Sequence, residues 1–376
     1  MTKKRVLITA RDVGAAINII EIIKFIPTRS DCEIHVYVQS PALRYFINFN
    51  ISHNVVPQLI AKTPEDVHAD GLIQYAQQLI ATVKPDVILC GLSTPGDAGI
   101  DEALIKVAKN KIPSIVMQDF WGEVNDFFGV CADYYFCLDN EAKNLTEKRY
   151  PCQGIVIGSP RHSWYQTLDL QNLRPQLRQE VDLSTSEIVV GLFGQSLHRL
   201  KGYQETLSEF LSTVYQVRPE ATILYRQHPR ESGEQAENTV KLLEQSNLKF
   251  IKHNHDKVEH SLILCDVVTS ILSNCLYDSC YLNFFSSKPL ITPIALCYKA
   301  DILEHLNNFN MIESSPYKAK NIALICNTKK PDDKTMEDIL SADCRKEYWL
   351  ASKQLENPKY SAEKAFDTII KIITNC

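Results

Sequence analysis

Arg226-Gln227-His228-Pro229-Arg230 stands at the end of an apolar run, 221–226, that reads as a β-strand. In open α/β sheets, ligands bind beyond the C-terminal ends of the strands. A histidine between two arginines at such a place supplies donors to a phosphate or pyrophosphate. Pro229 fixes its own φ and biases His228 towards an extended conformation. A solvated basic loop is the competing reading. Thr269-Ser270-Ile271-Leu272-Ser273-Asn274 is again at a strand end and leads into a helix. Hydroxyl and amide side chains beside free helix N–H groups make an anion site, although an ordinary N-cap uses the same residue types. Asp278 falls about one helical turn further on, where its carboxylate would accept hydrogen bonds from ribose hydroxyls. In Gly191-Leu192-Phe193-Gly194-Gln195-Ser196, Gly194 permits close backbone approach and Ser196 can contact phosphate.

The N-terminal half offers two further segments. Arg11-Asp12-Val13-Gly14-Ala15-Ala16 is the first strand-to-helix connection. It lacks the full GxGxxG pattern, which argues against a dinucleotide cofactor, and the chain has no GxxxxGK[ST] loop. In Gln118-Asp119-Phe120-Trp121-Gly122-Glu123, Asp119 could serve as a general base and Trp121 could stack on a sugar. An aromatic that merely covers the sheet edge is the alternative. His253-Asn254-His255 with His260 looks like a metal set. No cysteine or carboxylate completes a familiar spacing, and Asp256 and Glu259 read as solvent-facing, so exposed loop histidines are the plainer reading.

These loops need elements to hold them. The patterning predicts strands over 6–9, 33–38, 86–90, 114–117, 134–137 and 154–157, with helices over 17–26 (stopped by Pro27), 70–83 and 101–109. The rhythm restarts with strands over 187–192, 221–226, 248–252, 266–269 and 289–294, and helices over 202–217, 235–245, 258–264 and from about Asn274. Strands apolar on both faces and alternating with helices argue for a parallel, doubly wound sheet. The expected organisation is a first domain over 1–165, a polar linker over 166–186, a second domain over 187–350 and a C-terminal segment over 351–376. The two α/β domains are expected to face each other across a cleft. Ser361 would cap the last helix, whose apolar face is Ala362, Phe366, Ile369, Ile370 and Ile373.

Composition narrows the classes. A chain of 376 residues exceeds one ordinary core, and 45% hydrophobic with 23% charged residues describes a globular protein. Forty Lys and Arg against 45 Asp and Glu leave a net charge of −5, a poor basis for general nucleic-acid binding. The 12 cysteines contain no CxxC pair and are scattered, so a reducing cytoplasm fits them best. The N-terminal apolar run is too short for a signal-peptide core. The stretch 15–26 is broken by Glu21 and Lys24, so no bilayer span is expected.

Taken together, the segments resemble the GT-B superfamily of nucleotide-sugar enzymes. Asp266-Val267-Val268-Thr269, Ser273-Asn274 and Lys288-Pro289-Leu290-Ile291 resemble its donor-site run. His228-Pro229 is similar to the His-Pro motif of bacterial capsule sialyltransferases and of polyol-phosphate transferases of the CDP-glycerol type, and Ser273 matches their serine motif. Asp12-Val13-Gly14-Ala15, Asp119-Phe120-Trp121-Gly122 and Gly158-Ser159-Pro160 resemble bacterial GT-B proteins related to UDP-GlcNAc 2-epimerases. Asp278 departs from the glutamate of many relatives, and the acidic pair plus glycine of the sialyltransferases has only Asp119-Phe120-Trp121-Gly122 as its counterpart.

The resemblance implies two Rossmann-like domains, with a C-terminal helix returning to the first. It implies a glycosyltransferase moving a sugar from a nucleotide-activated donor to an acceptor hydroxyl, in bacterial surface polysaccharide or glycoconjugate assembly. A UDP-sugar 2-epimerase and a non-catalytic binding protein of the same fold are the alternatives. Asp119 and His228 are the expected catalytic residues. Gly194, Gln195, Ser196, Arg226, His228, Arg230, Ser273, Asn274 and Asp278 would bind the donor, and Asp12, Gly14 and Trp121 would serve the acceptor. No metal or cofactor is expected beyond the nucleotide sugar itself. The acceptor would be a saccharide or a lipid-linked saccharide, with no nucleic-acid partner. The chain would be a monomer or homodimer, cytoplasmic or peripheral at the inner membrane face through the helix over 15–25.

Overall fold

In the computed structural model, Lys4–Ala10 (β1) is buried from Val6 onward, as a central strand of a sheet covered on both faces must be. The structure describes residues 3–26, 32–255, 257–271, 273–308 and 320–375, so Pro27, Asp256 and Leu272 lie outside them. After β1 come Val13–Phe25 (α1), Cys32–Val38 (β2), Leu43–Asn48 (α2), Asn54–Val55 (β3), Val67–Val83 (α3), Val87–Gly91 (β4) and Ile100–Ala108 (α4). Ser114–Met117 (β5), Tyr134–Cys137 (β6), Asn140–Arg149 (α5) and Gln153–Val156 (β7) complete the sheet. Its order is β3-β2-β1-β4-β5-β6-β7, with parallel pairing throughout the described strands. The order reverses between β1 and β4, which makes their C-terminal ends the switch point of this sheet. Helix α1 begins at Val13 rather than 17, so Gly14 sits in its first turn. Asp66 and Asp139 cap α3 and α5 by accepting from the N–H groups of His68 and Ala142.

A second unit, Tyr165–Leu355, repeats the construction. It runs through Leu170–Glu180 (α6), Val189–Phe193 (β8), Lys201–Val217 (α7), Thr222–Arg226 (β9), Gly233–Gln245 (α8), Lys249–Lys252 (β10) and Val258–Leu264 (α9). Val267–Ser270 (β11), Asn274–Phe285 (α10), Thr292–Leu296 (β12), Ala300–Asn308 (α11), Leu324–Cys326 (β13), Asp333–Leu340 (α12) and Ala342–Ser352 (α13) follow. The sheet order is β10-β9-β8-β11-β12-β13, again parallel among the described strands, with its switch point between β8 and β11. Lys353 donates to the carbonyls of Asn283, Phe284 and Ser286 and so closes the C-terminal end of α10.

The last helix, Ser361–Asn375 (α14), belongs to the first unit, Met1–Trp164 with Glu356–Cys376. It packs on α1, where Phe25 and Phe366 lie 6.2 Å apart between ring centroids. Ala365, Phe366, Ile369, Ile372 and Ile373 are its buried face, while Ala362 and Ile370 are half-buried. Ser361 is the helix's first residue and not its cap; Asn357 caps the preceding 3₁₀ turn. With α1 covered in this way, its Ala15, Ala16, Ile19, Ile20, Ile22 and Ile23 are all buried and only Lys24 of that helix is exposed. No helix among the described residues is long and apolar enough to cross a membrane. The 11 described cysteines are free thiols.

The stretch expected as a linker contains α6, and an arginine network holds that helix to the second sheet. Buried Arg178 donates to the carbonyls of Leu264, Ser184, Thr185 and Glu187, and to Asp266 Oδ2 at 2.8 Å. Arg174 reaches Asp266 Oδ1 at 2.8 Å, Arg345 lies at 3.6 Å, and Val189 N–H donates to Oδ2. Burial alone would raise the Asp266 pKa, but Arg174, Arg178 and Arg345 outweigh it and hold the carboxyl below its ordinary value. A folded pKa below the unfolded one means stability that is present above about pH 4 and lost as pH falls through the lower folded value. Asp266→Ala leaves buried guanidinium charge unpaired and should cost about 3–5 kcal/mol. Urea denaturation at pH 7 and at acid pH checks both effects: the gap between wild type and variant should narrow on acidification.

Candidate functional site

At the second unit's switch point the loops after β8 and β11 are joined by one side chain. Gln195 Oε1 accepts from Ser270 Oγ at 3.1 Å and from the Ile271 N–H at 3.0 Å, while its own N–H donates to Tyr203 Oη at 2.8 Å. Ser273 caps α10, accepting from the Cys275 N–H at 3.3 Å. The next residue, Asn274, carries a buried Oδ1 with no hydrogen bond among the described residues. In the neighbouring strand, Arg226 pairs in register with Phe193, which brings the His228 loop beside Gly194 at the same sheet edge.

The loop after β9 is built on Glu231, a buried carboxylate that the sequence reading did not single out. Its Oε2 accepts from the His228 N–H at 2.6 Å and from Tyr225 Oη at 3.4 Å, and its Oε1 lies 3.7 Å from His198 Nε2. Burial raises its pKa against the hydrogen bonds from His228 and Tyr225. His228 Nδ1 accepts from the Arg230 N–H at 3.1 Å. Burial, and then the Arg230 charge, lower the His228 pKa to about 4. The imidazole is therefore neutral at pH 7, with its proton on Nε2, and acts as a hydrogen-bond donor rather than a cation.

The other expected donor residues divide. Gly194, Gln195, Ser273 and Asn274 lie at the β8–β11 edge, and Ser196 follows Gln195, half-buried. Arg226 is turned into structure, donating to Ser261 Oγ at 2.9 Å and to the His253 carbonyl. Arg230 is exposed. Asp278 is only 2% exposed, on a helix buried along most of its length. Lys288-Pro289-Leu290-Ile291 and Asp266 precede β12 and β11, and so sit at the opposite edge of the sheet from Ser270. His253, His255 and His260 stack, with the His255 and His260 centroids 4.3 Å apart. No cluster among the described residues is arranged to hold a metal.

The first unit gathers carboxylates at its switch point. Asp12 Oδ2 accepts from the N–H and hydroxyl of Thr94, across the β1–β4 reversal, at 3.0 and 3.1 Å. Asp119, after β5, lies against Gly14, where a Cβ would stand 1.6 Å from Asp119 Oδ2. Glu123 completes the set: burial first, then Asp119 and Asp12, push its pKa up to about 8. Beneath them Arg11, itself buried, donates to Ser93 Oγ at 3.1 Å and Asp97 Oδ1 at 2.5 Å. Asp101 is fully buried with Thr9 donating to it, and burial with Glu102 beside it brings its pKa to about 7. Trp121, expected on the acceptor side, is buried and donates from Nε1 to Asp139 Oδ1 at 3.0 Å, which fixes it over the start of α5. It has no face for a sugar. Glu123 and Glu231 were both visible as acids near strand ends, yet nothing in the sequence distinguished them from solvated ones.

No protein-family model and no curated protein matches the chain. Among solved structures it is similar to UDP-GlcNAc 2-epimerase from Neisseria meningitidis, with a TM-score of 0.70 and 12% identity over 98% of this chain and 100% of that one. A glycosyltransferase from Rickettsia africae matches with a TM-score of 0.65 and 10% identity over 100% of both chains. MurG from Acinetobacter baumannii matches with a TM-score of 0.61 and 12% identity over 98% of this chain and 99% of that one. At these identities the likeness is one of fold, and with two parallel sheets built in the same way the chain has the GT-B fold.

Proposed function

We propose that the chain is a glycosyltransferase that uses a nucleotide-activated sugar. The observation that carries this reading is the β8–β11 edge, where Gln195, the capped start of α10 and a neutral His228 come together. Helix α10 presents its N-terminal N–H groups, a favourable setting for phosphate. The orphan Asn274 Oδ1 is an acceptor suited to a hydroxyl or N–H of a nucleoside. In the reaction an acceptor hydroxyl attacks the anomeric carbon, the carbon–oxygen bond to the nucleotide breaks, and the nucleotide departs with the bonding pair. His228 Nε2–H would donate to the leaving phosphate as charge builds there. The carboxylate of Asp119 would take the acceptor's proton.

A second reading, 2-epimerisation of a UDP-sugar, is favoured by one observation: Glu123 keeps a proton to about pH 8 beside Asp119 and Asp12. Carboxyl groups whose environments push their pKa values apart can divide the roles of acid and base in a reaction that removes and returns a proton. The names of the structural neighbours include both activities.

Calorimetric titration with UDP, CMP, CDP and GDP should show binding by at least one of them; none at millimolar concentration would remove both readings. Incubating UDP-GlcNAc without an acceptor separates them, because turnover under those conditions belongs to the epimerase. His228→Ala should lower kcat by about 10²–10³ with little change in melting temperature, since among the described residues the imidazole bonds to a neighbouring N–H. If the variant melts early while its folded fraction stays fully active, His228 is structural.

Glu123 gives a pH signature. Its folded pKa of about 8 exceeds its ordinary value of 4.5, so the folded state holds a proton that the unfolded chain releases, and stability declines as pH rises between the two. Glu123→Gln should match wild type at pH 5 and exceed it by on the order of 1–3 kcal/mol at pH 9. On the epimerase reading the same variant should also lose turnover at pH 7, whereas transfer by His228 and Asp119 does not call on Glu123. Chemical denaturation and initial rates on one preparation check both.

A further inference from the structure

The Lys288-Pro289-Leu290 segment and Asp266 are left unused by the donor edge, and they belong to a second site. At the strand-entry edge of the second sheet lies a cavity of about 270 Å³, lined by α6, Thr185, Ser286 and the Lys288-Pro289-Leu290 segment. Arg174, Arg178 and Lys288 line it, and no carboxylate does. Behind the wall Asp266 is shared by Arg174, Arg178 and Arg345, so one negative charge faces three positive ones. The guanidinium of Arg178 is saturated by carbonyls and Asp266. Arg174 is not: among the described residues it gives one bond to the Leu290 carbonyl and one to Asp266, and a guanidinium has five N–H donors. Arg345 Nη1 is likewise buried without a hydrogen bond. Burial lowers the Arg174 pKa, Asp266 opposes that shift, and the neighbouring Arg178 and Arg345 charges add to it. Leu170 and Leu290 add apolar wall, and the volume exceeds that of a bare ion.

We propose that this cavity binds a small phosphomonoester, with the open donors of Arg174 taking the phosphate, Lys288 closing over it from the exposed rim, and the leucines packing the carbon body. Guanidinium suits phosphate because its planar donors match two oxygens at once. The site is separate from the nucleotide edge, since its residues precede β11 and β12 whereas Gln195 and Ser273 follow β8 and β11.

Titration calorimetry of the full chain with glycerol 3-phosphate, and with glycerol as the uncharged control, tests it. Saturable binding of the phosphate ester alone is expected. Lys288→Glu and Arg174→Gln should each weaken it by about tenfold or more, whereas His228→Ala should leave it unchanged. Lys288 is exposed, so its variant should fold as wild type does; should Arg174→Gln unfold, Lys288→Glu and Lys288→Gln carry the test. Absence of saturable binding at about 10 mM would overturn the proposal. So would binding that survives Lys288→Glu and disappears in His228→Ala, which would place the phosphate at the nucleotide edge.

Discussion

A parallel sheet covered on both faces leaves polar groups only two places to go, its strand-entry edge and its strand-exit edge. Both sheets of this chain obey that constraint. Their strand interiors are almost wholly apolar, and buried charge collects where strands begin or end: Arg11, Asp101 and Glu102 around the β1–β4 exit, Glu231 at the β9 exit, and Asp266 at the β11 entry. The order reversals then decide which exits are crowded with loops and which leave a crevice. Gln195 and Asp12 each bridge such a reversal, one through Ser270 and Ile271 and the other through Thr94.

The two units balance their buried charge with opposite sign. In the first, Arg11 is the buried cation set among Asp97, Asp101 and Glu102, and acid is in excess; the surplus is met by protons, which Asp101 and Glu123 hold to about pH 7 and 8. In the second, Asp266 is the buried anion among three arginines, and base is in excess. Arginine cannot shed its proton near neutral pH, so that surplus calls for an anion. The proposed proton chemistry of the first unit and the proposed anion binding of the second would both follow from the same desolvation penalty.

Most strands were legible because apolar runs of four to seven residues between turn signals admit few other readings. Several of the helices that escaped notice are polar and bury few apolar side chains, Phe46 in α2, Ala142 in α5, and Leu170 and Leu177 in α6. Helix α6 is the clearest case: it has Pro175 in its interior, and it is tied down chiefly by Arg178 reaching carbonyls, an interaction with no periodic trace. The β8–β11 exit edge was legible in its glycine, amide and N-cap residues, each a local signal. What could not be read was which acids are buried. Besides near neighbours, Glu231 meets Gly194 and His198, and Glu123 feels Asp12, all far along the chain, and Trp121 was assigned to a ligand because its partner, Asp139, lies 18 residues away.

The glycines show how far a local signal reaches. Gly14 and Gly194 read as places where a ligand could approach the backbone, and the absence of a Cβ is indeed required at both. Yet in each unit the space is taken by the protein's own carboxylate, Asp119 against Gly14 and Glu231 against Gly194, where a Cβ would stand 1.6 and 2.5 Å from the acid oxygens. At Gly194 that oxygen is the one that holds the His228 N–H. A methyl group there would push a buried, hydrogen-bonded carboxylate aside, and the His228 loop with it. The glycine after β8 thus sets the position of a histidine after β9 without touching it, and the shape of this exit edge depends on a side chain whose burial neither loop's own sequence reveals.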